Sequence, residues 1–354
     1  MIDNKILIFS LFNFNINSGG PSGFLAQNLI DKPRDFFVFP QDLIFPNRFR
    51  NILKNYINDK FLKKEKNYLI DIFKESNAKN YKYIFFHDCA TLFKCRDLIQ
   101  DHQIVILQSH SPELPSKESK EAGASSDYIA FLQQAEQYSF QRANYIVFPS
   151  EGAVNIYRTL NFDEKKVRLI LSGCKNIDLV RKDYPLENKI NLFFIGRRNK
   201  VKGFDIVLES FKRAVEVRDD INLIIAGGGD EIKYKNVYDL GFINNPLDWY
   251  HNADYVINAN RQSYFDLSIL EALSVGARLI MTTNFGHSFF KGTSEDILEF
   301  DAEDANGLYN VLTSEKLTKK ILPSNLNKEL YQKHFTDQLY YERLKSFFQK
   351  LRNE

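Results

Sequence analysis

Short apolar runs that alternate with helical patterns are the feature that most limits how this chain can fold. The runs are rich in Ile, Val, Leu, Phe and Tyr, and a helical pattern follows nearly every one of them. They lie at 5–12, 36–39, 83–86, 104–107, 145–148, 190–195, 222–226, 255–257 and 278–282. Because strands that alternate with helices form parallel sheets covered by helices, the sequence predicts a doubly wound α/β fold.

The length and one break in the pattern predict two domains. The chain has 354 residues, and a domain has roughly 150. At 181–190 the sequence RKDYPLENKI is charged, contains a proline and interrupts the apolar periodicity, as interdomain linkers do. We therefore predict Rossmann-like domains at 1–182 and 183–335. A helix at 336–354, with Thr336 as its N-cap, is predicted to pack back on the N-terminal domain.

The charge balance and the cysteines exclude several classes of protein. There are 47 basic and 45 acidic residues, so the chain has no overall field that attracts nucleic acid. The three cysteines, Cys89, Cys95 and Cys174, form no zinc pattern and suit a reducing cytoplasm. No run approaches the roughly 18 apolar residues of a membrane span, and the N-terminus lacks the features of a signal peptide. We therefore predict a cytoplasmic protein.

The loop after the strand at 190–195 has the groups that a diphosphate needs. It runs from Gly196, which permits a tight exit from the strand, to Gly203, where a helix starts. Arg197 supplies a forked donor, Lys202 supplies a point charge, and the helix start adds free N–H groups. The sequence therefore predicts an anion site at this loop.

Two more strand ends in the second half are suited to ligand binding. The next strand ends in AGGGD, where Gly229 and its neighbours let the backbone approach a ligand closely. The sequence VYDLGFI, which includes Phe242, predicts a short strand whose backbone could pair with a flat base. Each pattern alone is also compatible with an ordinary structural loop.

The segment 252–276, NADYVINANRQSYFDLSILEALSVG, predicts a strand, a polar loop and a helix. Open α/β sheets place ligands at the carboxyl ends of their strands, where this loop lies. Glu271 sits one turn into the helix among apolar residues, and a charge there needs a partner or a function. The alternative is a half-exposed helix residue with no special role.

The first half has weaker signals. A loop ending in GGPSG joins the first strand to a helix, so Gly19 and Gly20 could admit an anion near a helix start, or could form a plain loop. His87 and His110 both stand at strand ends, and His110 lies in a proline-bent loop. Each histidine is either structural or part of a site.

The segment 47–66 has seven basic and two acidic residues, interleaved with apolar ones. A basic amphipathic helix of this kind can lie on an anionic membrane surface. It can equally be an ordinary solvated helix face. The sequence therefore predicts either a peripheral membrane contact through 47–66 or a plain surface helix.

Taken in order, these motifs resemble those of the GT-B fold retaining glycosyltransferases known as family 4. The matched pieces span about residues 5–285 and are GGPSGF, QSHSP, VRLILSG, IGRRNKVKGFDIVLESF, INLIIAGGGD, VYDLGFI and HNADYVINANRQSYFDLSILEALSVGARLIMTT. The resemblance implies two Rossmann-like domains facing across a cleft, with a C-terminal helix crossing back. It implies a retaining glycosyltransferase that uses a nucleotide-diphosphate sugar, a UDP-sugar above all.

The resemblance also implies roles for particular residues. Arg197 and Lys202 would bind the donor diphosphate, Glu271 would hold the ribose hydroxyls, and His110 would hydrogen-bond a sugar hydroxyl. The further residues predicted to bind the donor are Gly19, Gly20, Gly196, Gly229, Phe242, Ser263, Phe265, Asp266 and Leu267.

Two positions depart from the family pattern. The family has a glutamate that contacts the transferred sugar where this chain has Ser263, and a glycine where it has Asp266. Asp266 suits a helix start but is a poor neighbour for a phosphate. We expect an unusual donor sugar, while a non-catalytic relative is the alternative.

The predicted function is transfer of a sugar to a glycan or lipid-linked acceptor, in the cytoplasm or on the inner face of the membrane, with no nucleic acid and no cofactor. The acceptor is assigned to the N-terminal domain, and bacterial surface polysaccharide synthesis is the setting that the resemblance implies. Because no Asp-x-Asp motif is present, we predict no metal requirement. The alternatives are an accessory or glycan-binding subunit with this fold and a sugar-nucleotide epimerase.

Overall fold

A computed structural model describes residues 3–10, 14, 20–61, 68–176, 188–243, 246–320 and 323–353. The chain forms two compact units, one of Met1–Ile170 with Tyr341–Glu354 and one of Leu171–Tyr340. The boundary predicted between 182 and 183 lies outside the described residues.

The first unit is built on a six-stranded sheet in the order β2-β1-β3-β4-β5-β6. Every neighbouring pair in it is parallel. The strands are β1 Asp3–Phe9, β2 Phe37–Val38, β3 Tyr81–Phe86, β4 Ile104–Leu107, β5 Tyr145–Phe148 and β6 Val167–Leu169. The central strands read as continuous apolar runs because helices cover both faces of a parallel sheet. Residues 6–9 of β1, for example, are fully buried.

The helices of the first unit lie between these strands. They are α1 Gly20–Asn28, α2 Pro40–Leu43, α3 Pro46–Phe61, α4 Tyr68–Glu75, α5 Cys89–Lys94, α6 Pro115–Glu121, α7 Ser126–Arg142 and α8 Glu151–Tyr157. Several begin at a side chain that caps the first turn: Asp88 accepts a hydrogen bond from the Thr91 N–H, and Ser150 accepts one from the Ala153 N–H. Short 3₁₀ turns cover Ala78–Asn80, Arg96–Leu98, Arg158–Leu160 and Glu164–Lys166.

The second unit has its own six-stranded parallel sheet, in the order β12-β11-β10-β7-β8-β9. Its strands are β7 Ile190–Ile195, β8 Ile221–Ala226, β9 Val237–Asp239, β10 Tyr255–Asn258, β11 Leu279–Thr282 and β12 Ile297–Phe300. Chain order in this sheet reverses between β7 and β10, and in the first sheet between β1 and β3. Two doubly wound parallel sheets confirm the predicted fold class.

Helices and one 3₁₀ turn flank the second sheet. They are α9 Phe204–Ala214, α10 Pro246–Asn252, α11 Leu267–Ser274, the 3₁₀ turn Phe285–Phe290, α12 Gly307–Leu312 and α13 Asn325–His334. A last helix, α14 Asp337–Asn353, follows them. Among the described helices, none combines the length and the apolar character that crossing a membrane requires.

The last part of α14, from Tyr341, belongs to the first unit. Its aromatic face packs on β3 and on the residue directly before β2: the rings of Phe348 and Tyr83 are 5.0 Å apart, and those of Tyr341 and Phe36 are 5.2 Å apart. The Tyr341 hydroxyl donates to Asp35, and Lys345 pairs with the same carboxylate at 3.0 Å. The helix is thus an integral part of the core of the first unit.

Candidate functional site

A crevice in the second unit opens at the carboxyl ends of β7 and β10, where the strand order reverses. Its lining combines polar residues, among them Lys202, Asn258, Asn260 and Ser268, with apolar ones such as Phe194 and Ile257. Ligands of open α/β sheets bind outside the carboxyl ends of the strands at this kind of switch point. The strand order alone therefore makes this crevice the leading candidate for a binding site.

Two loops at the mouth are joined directly through their backbones. One is Gly196–Gly203, which follows β7, and the other is 259–266, which follows β10. The Arg261 N–H donates to the Val201 carbonyl at 3.0 Å, and the Arg261 guanidinium donates to the Lys200 carbonyl at 2.6 Å. The same guanidinium forms two bonds to Asp205 at 2.7 and 2.8 Å. The position of one loop therefore fixes that of the other.

The two cations predicted for the first of these loops differ in their surroundings. Arg197 is exposed. Lys202 is three-quarters buried, and its ammonium lies 3.5 Å from Asp266 Oδ1. Lys202 therefore already faces the crevice next to one carboxylate, and any anion that binds there meets both charges.

Arg198, which the sequence analysis passed over, is the buried arginine of this loop. Its guanidinium forms a two-pronged pair with Asp239, at 2.7 and 2.5 Å, and both side chains are only about 5% exposed. It also donates to the carbonyls of Gly227 and Asp230. Arg198 thus braces the loop after β7 against the glycine loop after β8.

The glycine loop after β8 passes close to its neighbours. A Cβ on Gly227 would stand 2.1 Å from the Gly196 carbonyl oxygen, and one on Gly229 would stand 2.6 Å from Arg198 Cδ. Gly227 therefore allows the two backbones to come close together, and Gly229 leaves space for the Arg198 side chain. Whether the loop also approaches a ligand stays a prediction.

Asp266 is the centre of a polar cluster. Its Oδ2 accepts hydrogen bonds from Ser263 Oγ at 2.6 Å, Asn260 Nδ2 at 2.8 Å and His287 Nε2 at 2.9 Å. Burial alone would raise the pKa of Asp266, but Lys202 and the hydrogen bonds from His287 and Ser263 outweigh it and lower this pKa far below its usual value. Asp266 is therefore an ionised carboxylate held in one orientation.

The position of Asp266 in α11 is unusual for an aspartate. It is the N-cap residue, where a carboxylate normally accepts from the first helical turn, yet its side chain is directed to the cluster instead. The first-turn N–H groups of α11, which begins at Leu267, are thus not capped by Asp266.

The remaining predicted residues of the second unit are spread over its surface and core. Glu271 is half-buried on α11, and its charge together with burial raises the pKa of Tyr250. Phe242 is 81% exposed after Gly241. Phe265 is buried in an aromatic cluster, with its ring 5.3 Å from Phe290.

In the first unit, the two predicted histidines form a pair. His87 Nδ1 and His110 Nε2 are 2.9 Å apart, and the ring of Phe24 lies 4.8 Å from that of His110. Burial lowers the pKa of His110 to about 3, and burial with the neighbouring His110 lowers the pKa of His87 well below its usual value. Both rings are therefore neutral at pH 7, and one donates to the other.

The loop before α1 is only partly described. Gly20 begins α1, at the carboxyl side of β1. Gly19 lies outside the described residues. The predicted anion site at GGPSG therefore stays a prediction.

Comparison with known proteins gives two kinds of match. Residues 189–313 match the family described as glycosyl transferases group 1. HepE from Anabaena, solved with UDP, is 12% identical, and the match covers 98% of this chain and 100% of that one with a TM-score of 0.67. The chain has the GT-B fold.

Other structures show the same fold. Sucrose-phosphate synthase from Thermosynechococcus elongatus is 17% identical, with 80% of this chain and 77% of that one covered and a TM-score of 0.64. The N-terminal domain of Candida albicans trehalose-6-phosphate phosphatase is 11% identical, with 99% and 97% covered and a TM-score of 0.66. At these identities the likeness concerns the fold. Among curated protein sequences, none matches the chain.

The matches confirm the predicted GT-B fold and, for 189–313, the predicted resemblance to group 1 glycosyl transferases. Within this GT-B protein, the structure brings together three residues predicted for the donor site: Lys202, Ser263 and Asp266. It adds residues that the sequence analysis missed, His287, Asn260, Asn284 and Arg198. Asn260 and Asn284 each lie two residues after the end of a strand, β10 and β11 respectively. Because sites form at the carboxyl ends of strands, both could have been predicted from the sequence.

Proposed function

We propose that this GT-B protein transfers a sugar from a nucleotide-diphosphate sugar, with a UDP-sugar as the donor, to a hydroxyl of a glycan or lipid-linked acceptor. The main support is the position of Lys202 at the switch-point crevice of the unit whose residues match group 1 glycosyl transferases. HepE, which has the same fold, was solved with UDP and with UDP-glucose.

The chemistry needs positive potential where the leaving diphosphate develops charge. Lys202 and Arg197 supply it at the loop after β7, and the start of α11 adds N–H groups that Asp266 does not cap. In this proposal the leaving phosphate takes the proton of the acceptor hydroxyl, and the anomeric configuration is retained. We further propose that no metal is required, since the basic groups do the work that a divalent cation does elsewhere.

Asp266 is proposed to replace the carboxylate that the family has at position 263. Ser263 Oγ donates to Asp266 at 2.6 Å, so a carboxylate does lie beside this position, although it comes from a residue three places later. Oδ2 already has three donors, while Oδ1 faces Lys202 and has room for another. A hydroxyl of the transferred sugar would donate to Oδ1.

The acceptor is assigned to the first unit. There the neutral His110, oriented by His87, is proposed to hydrogen-bond a sugar hydroxyl rather than to act as a base. A histidine with a pKa of about 3 binds a proton too weakly to serve as a base near pH 7.

Titration calorimetry with UDP tests the proposed donor site. The protein should bind UDP, and Lys202→Ala and Glu271→Ala should each weaken binding by about tenfold or more, since each removes about 1.4 kcal/mol of contact energy or more. Arg218→Gln removes a charge from the pair with Asp220, which directly precedes the amino end of β8 and so lies at the opposite end of the strands from the crevice; it should leave UDP binding unchanged. If the protein binds UDP but forms no UDP from any UDP-sugar in the presence of an acceptor, it is not a transferase. Absence of UDP binding in the unaltered protein would instead favour an accessory subunit.

The basic segment 47–66 is proposed to contact anionic membranes. Arg48, Arg50 and Lys54 of α3 are exposed, and Phe45, just before the helix, is 82% exposed. Residues 62–66 lie outside the described ones. Sedimentation with phosphatidylglycerol vesicles should show binding that Arg50→Gln with Lys54→Gln weakens by about thirtyfold, since each cation contributes about 1 kcal/mol.

A matched control for the membrane contact lies elsewhere in the first unit. Lys79→Gln with Lys165→Gln removes the same charge from two exposed positions outside α3 and should leave vesicle binding unchanged. Equal binding to neutral phosphatidylcholine vesicles, or equal loss in both double variants, would show that α3 is an ordinary surface helix.

A further inference from the structure

His287 follows the third strand end of the crevice, in the 3₁₀ turn after β11, and is 2% exposed. One nitrogen, Nε2, lies 2.9 Å from Asp266 Oδ2. The other, Nδ1, lies 3.0 Å from the Thr282 carbonyl oxygen and 3.2 Å from the Thr282 hydroxyl. Both ring nitrogens therefore face oxygens.

Each of these oxygens is an acceptor toward the ring. The carbonyl of Thr282 can only accept, and the Thr282 hydroxyl donates its own proton to the Asn260 carbonyl at 2.6 Å. On the other side, Asp266 Oδ2 accepts from the Ser263 hydroxyl and the Asn260 amide as well. A neutral imidazole has one bare nitrogen, which would meet an acceptor lone pair at one end or the other.

We infer that His287 is a positively charged positioning residue, which balances the Asp266 carboxylate and so leaves the charge of Lys202 available to a diphosphate. Without it, Asp266 and Lys202 would cancel each other at the mouth of the crevice. With it, the cluster of Lys202, Asp266 and His287 has a net charge of one positive unit. The charge of His287 thus allows Asp266 to lie next to a phosphate. Asn284 donates to the hydroxyls of Ser263 at 3.2 Å and Thr282 at 3.1 Å and so holds both residues in place.

The inference rests on the proposed diphosphate site, and UDP without a sugar is the probe that isolates it. His287→Gln keeps an amide donor near the position of Nε2 but removes the charge. We expect it to weaken UDP binding by about tenfold, the effect of leaving one carboxylate unbalanced next to a phosphate. Asp266→Asn should bind UDP at least as tightly as the unaltered protein.

The deciding measurement is the double variant. In Asp266→Asn with His287→Gln, both charges of the pair are gone, so UDP binding should return to within about threefold of the unaltered protein. A side chain with only a structural role would not be rescued by removal of a second charge. If His287→Gln alone fails to fold, Asp266→Asn is compared with the double variant. The cluster keeps two positive charges in Asp266→Asn and one in the double variant, so Asp266→Asn should bind UDP more tightly, and equal binding would overturn the inference.

When His287→Gln does fold, two results would overturn the inference: UDP binding unchanged in His287→Gln, or binding in the double variant as weak as in His287→Gln. Arg218→Gln again serves as the control for loss of one positive charge from the second unit. Failure of the proposed function looks different, because then the unaltered protein either does not bind UDP or binds it with no dependence on Lys202.

Discussion

Gly203→Ala is expected to lower the free energy of unfolding of the second unit by about 3 kcal/mol or more. Left-handed backbone strain contributes about 1–2 kcal/mol of this loss, and overpacking contributes about 1–3 kcal/mol. Gly203 is in the left-handed region, with φ +64°. A Cβ there would stand 1.9 Å from the Ala259 carbonyl oxygen and 2.9 Å from the Ala259 Cβ, so the loops after β7 and β10 would have to separate.

Urea unfolding followed by tryptophan fluorescence measures this effect in the second unit, because the single tryptophan of the chain, Trp249, lies in α10 against Phe193. Gly228→Ala is the matched control: it is exposed, and a Cβ there meets nothing within 4 Å. It should change the free energy of unfolding by less than about 1 kcal/mol. Equal stability of the two variants would contradict the close contact at Ala259.

The loss should extend to ligand binding. Lys202 precedes Gly203 directly, and its ammonium reaches Asp266 only while the two loops touch. Gly203→Ala protein that remains folded should therefore bind UDP more weakly than the unaltered protein. The glycine thus serves the site by setting the distance between its two loops.

The fold could be predicted because its strongest signal is local. Long apolar runs such as 190–195 and 221–226 cannot be solvated, and helical patterns between them leave a parallel sheet as the arrangement that buries both faces. Two strands were not predicted, β6 and β12, which are three and four residues long. Their half-exposed edge positions carry too little apolar periodicity to stand out.

The site could be predicted only where its groups are close along the chain. Lys202 and Asp266 were both found, each from its own loop, but nothing in the sequence shows that the two charges meet. His287 lies 21 residues after Asp266, and its role depends on β11 being the neighbour of β10. Arg198 and Arg197 are adjacent and chemically identical, so only the packing reveals that Arg198 is the buried one.

Arg198→Met is expected to destabilise the second unit by about 3–5 kcal/mol at pH 7, since it leaves a buried carboxylate without its partner. Asp239 keeps two backbone donors, the N–H groups of Ile232 at 2.8 Å and Gly241 at 3.0 Å, but loses its only guanidinium bonds. Arg218→Met is the matched control, because Arg218 makes the same two-pronged contact with Asp220 and, like Arg198, also donates to a carbonyl, that of Leu312 at 2.8 Å, but the carboxylate that it leaves behind is 53% exposed. That surface pair should be worth less than about 1 kcal/mol.

The dependence on pH separates loss of the ion pair from loss of packing. Burial raises the pKa of Asp239, but the hydrogen bonds from Arg198 and the two backbone groups outweigh it, so the folded pKa lies below the ordinary value of 3.8. The stability that this carboxylate contributes is therefore fully present above about pH 4 and is lost as pH falls through the folded pKa.

In Arg198→Met, the hydrogen bonds from Arg198 no longer offset the effect of burial, so the pKa of Asp239 should rise. The difference in unfolding free energy between the two proteins, followed by Trp249 fluorescence, should narrow as the pH is lowered from the raised Asp239 pKa of the variant to the lowered Asp239 pKa of the unaltered protein. A difference that stays constant over that range would mean that Arg198 acts through its aliphatic packing beneath Gly229 alone.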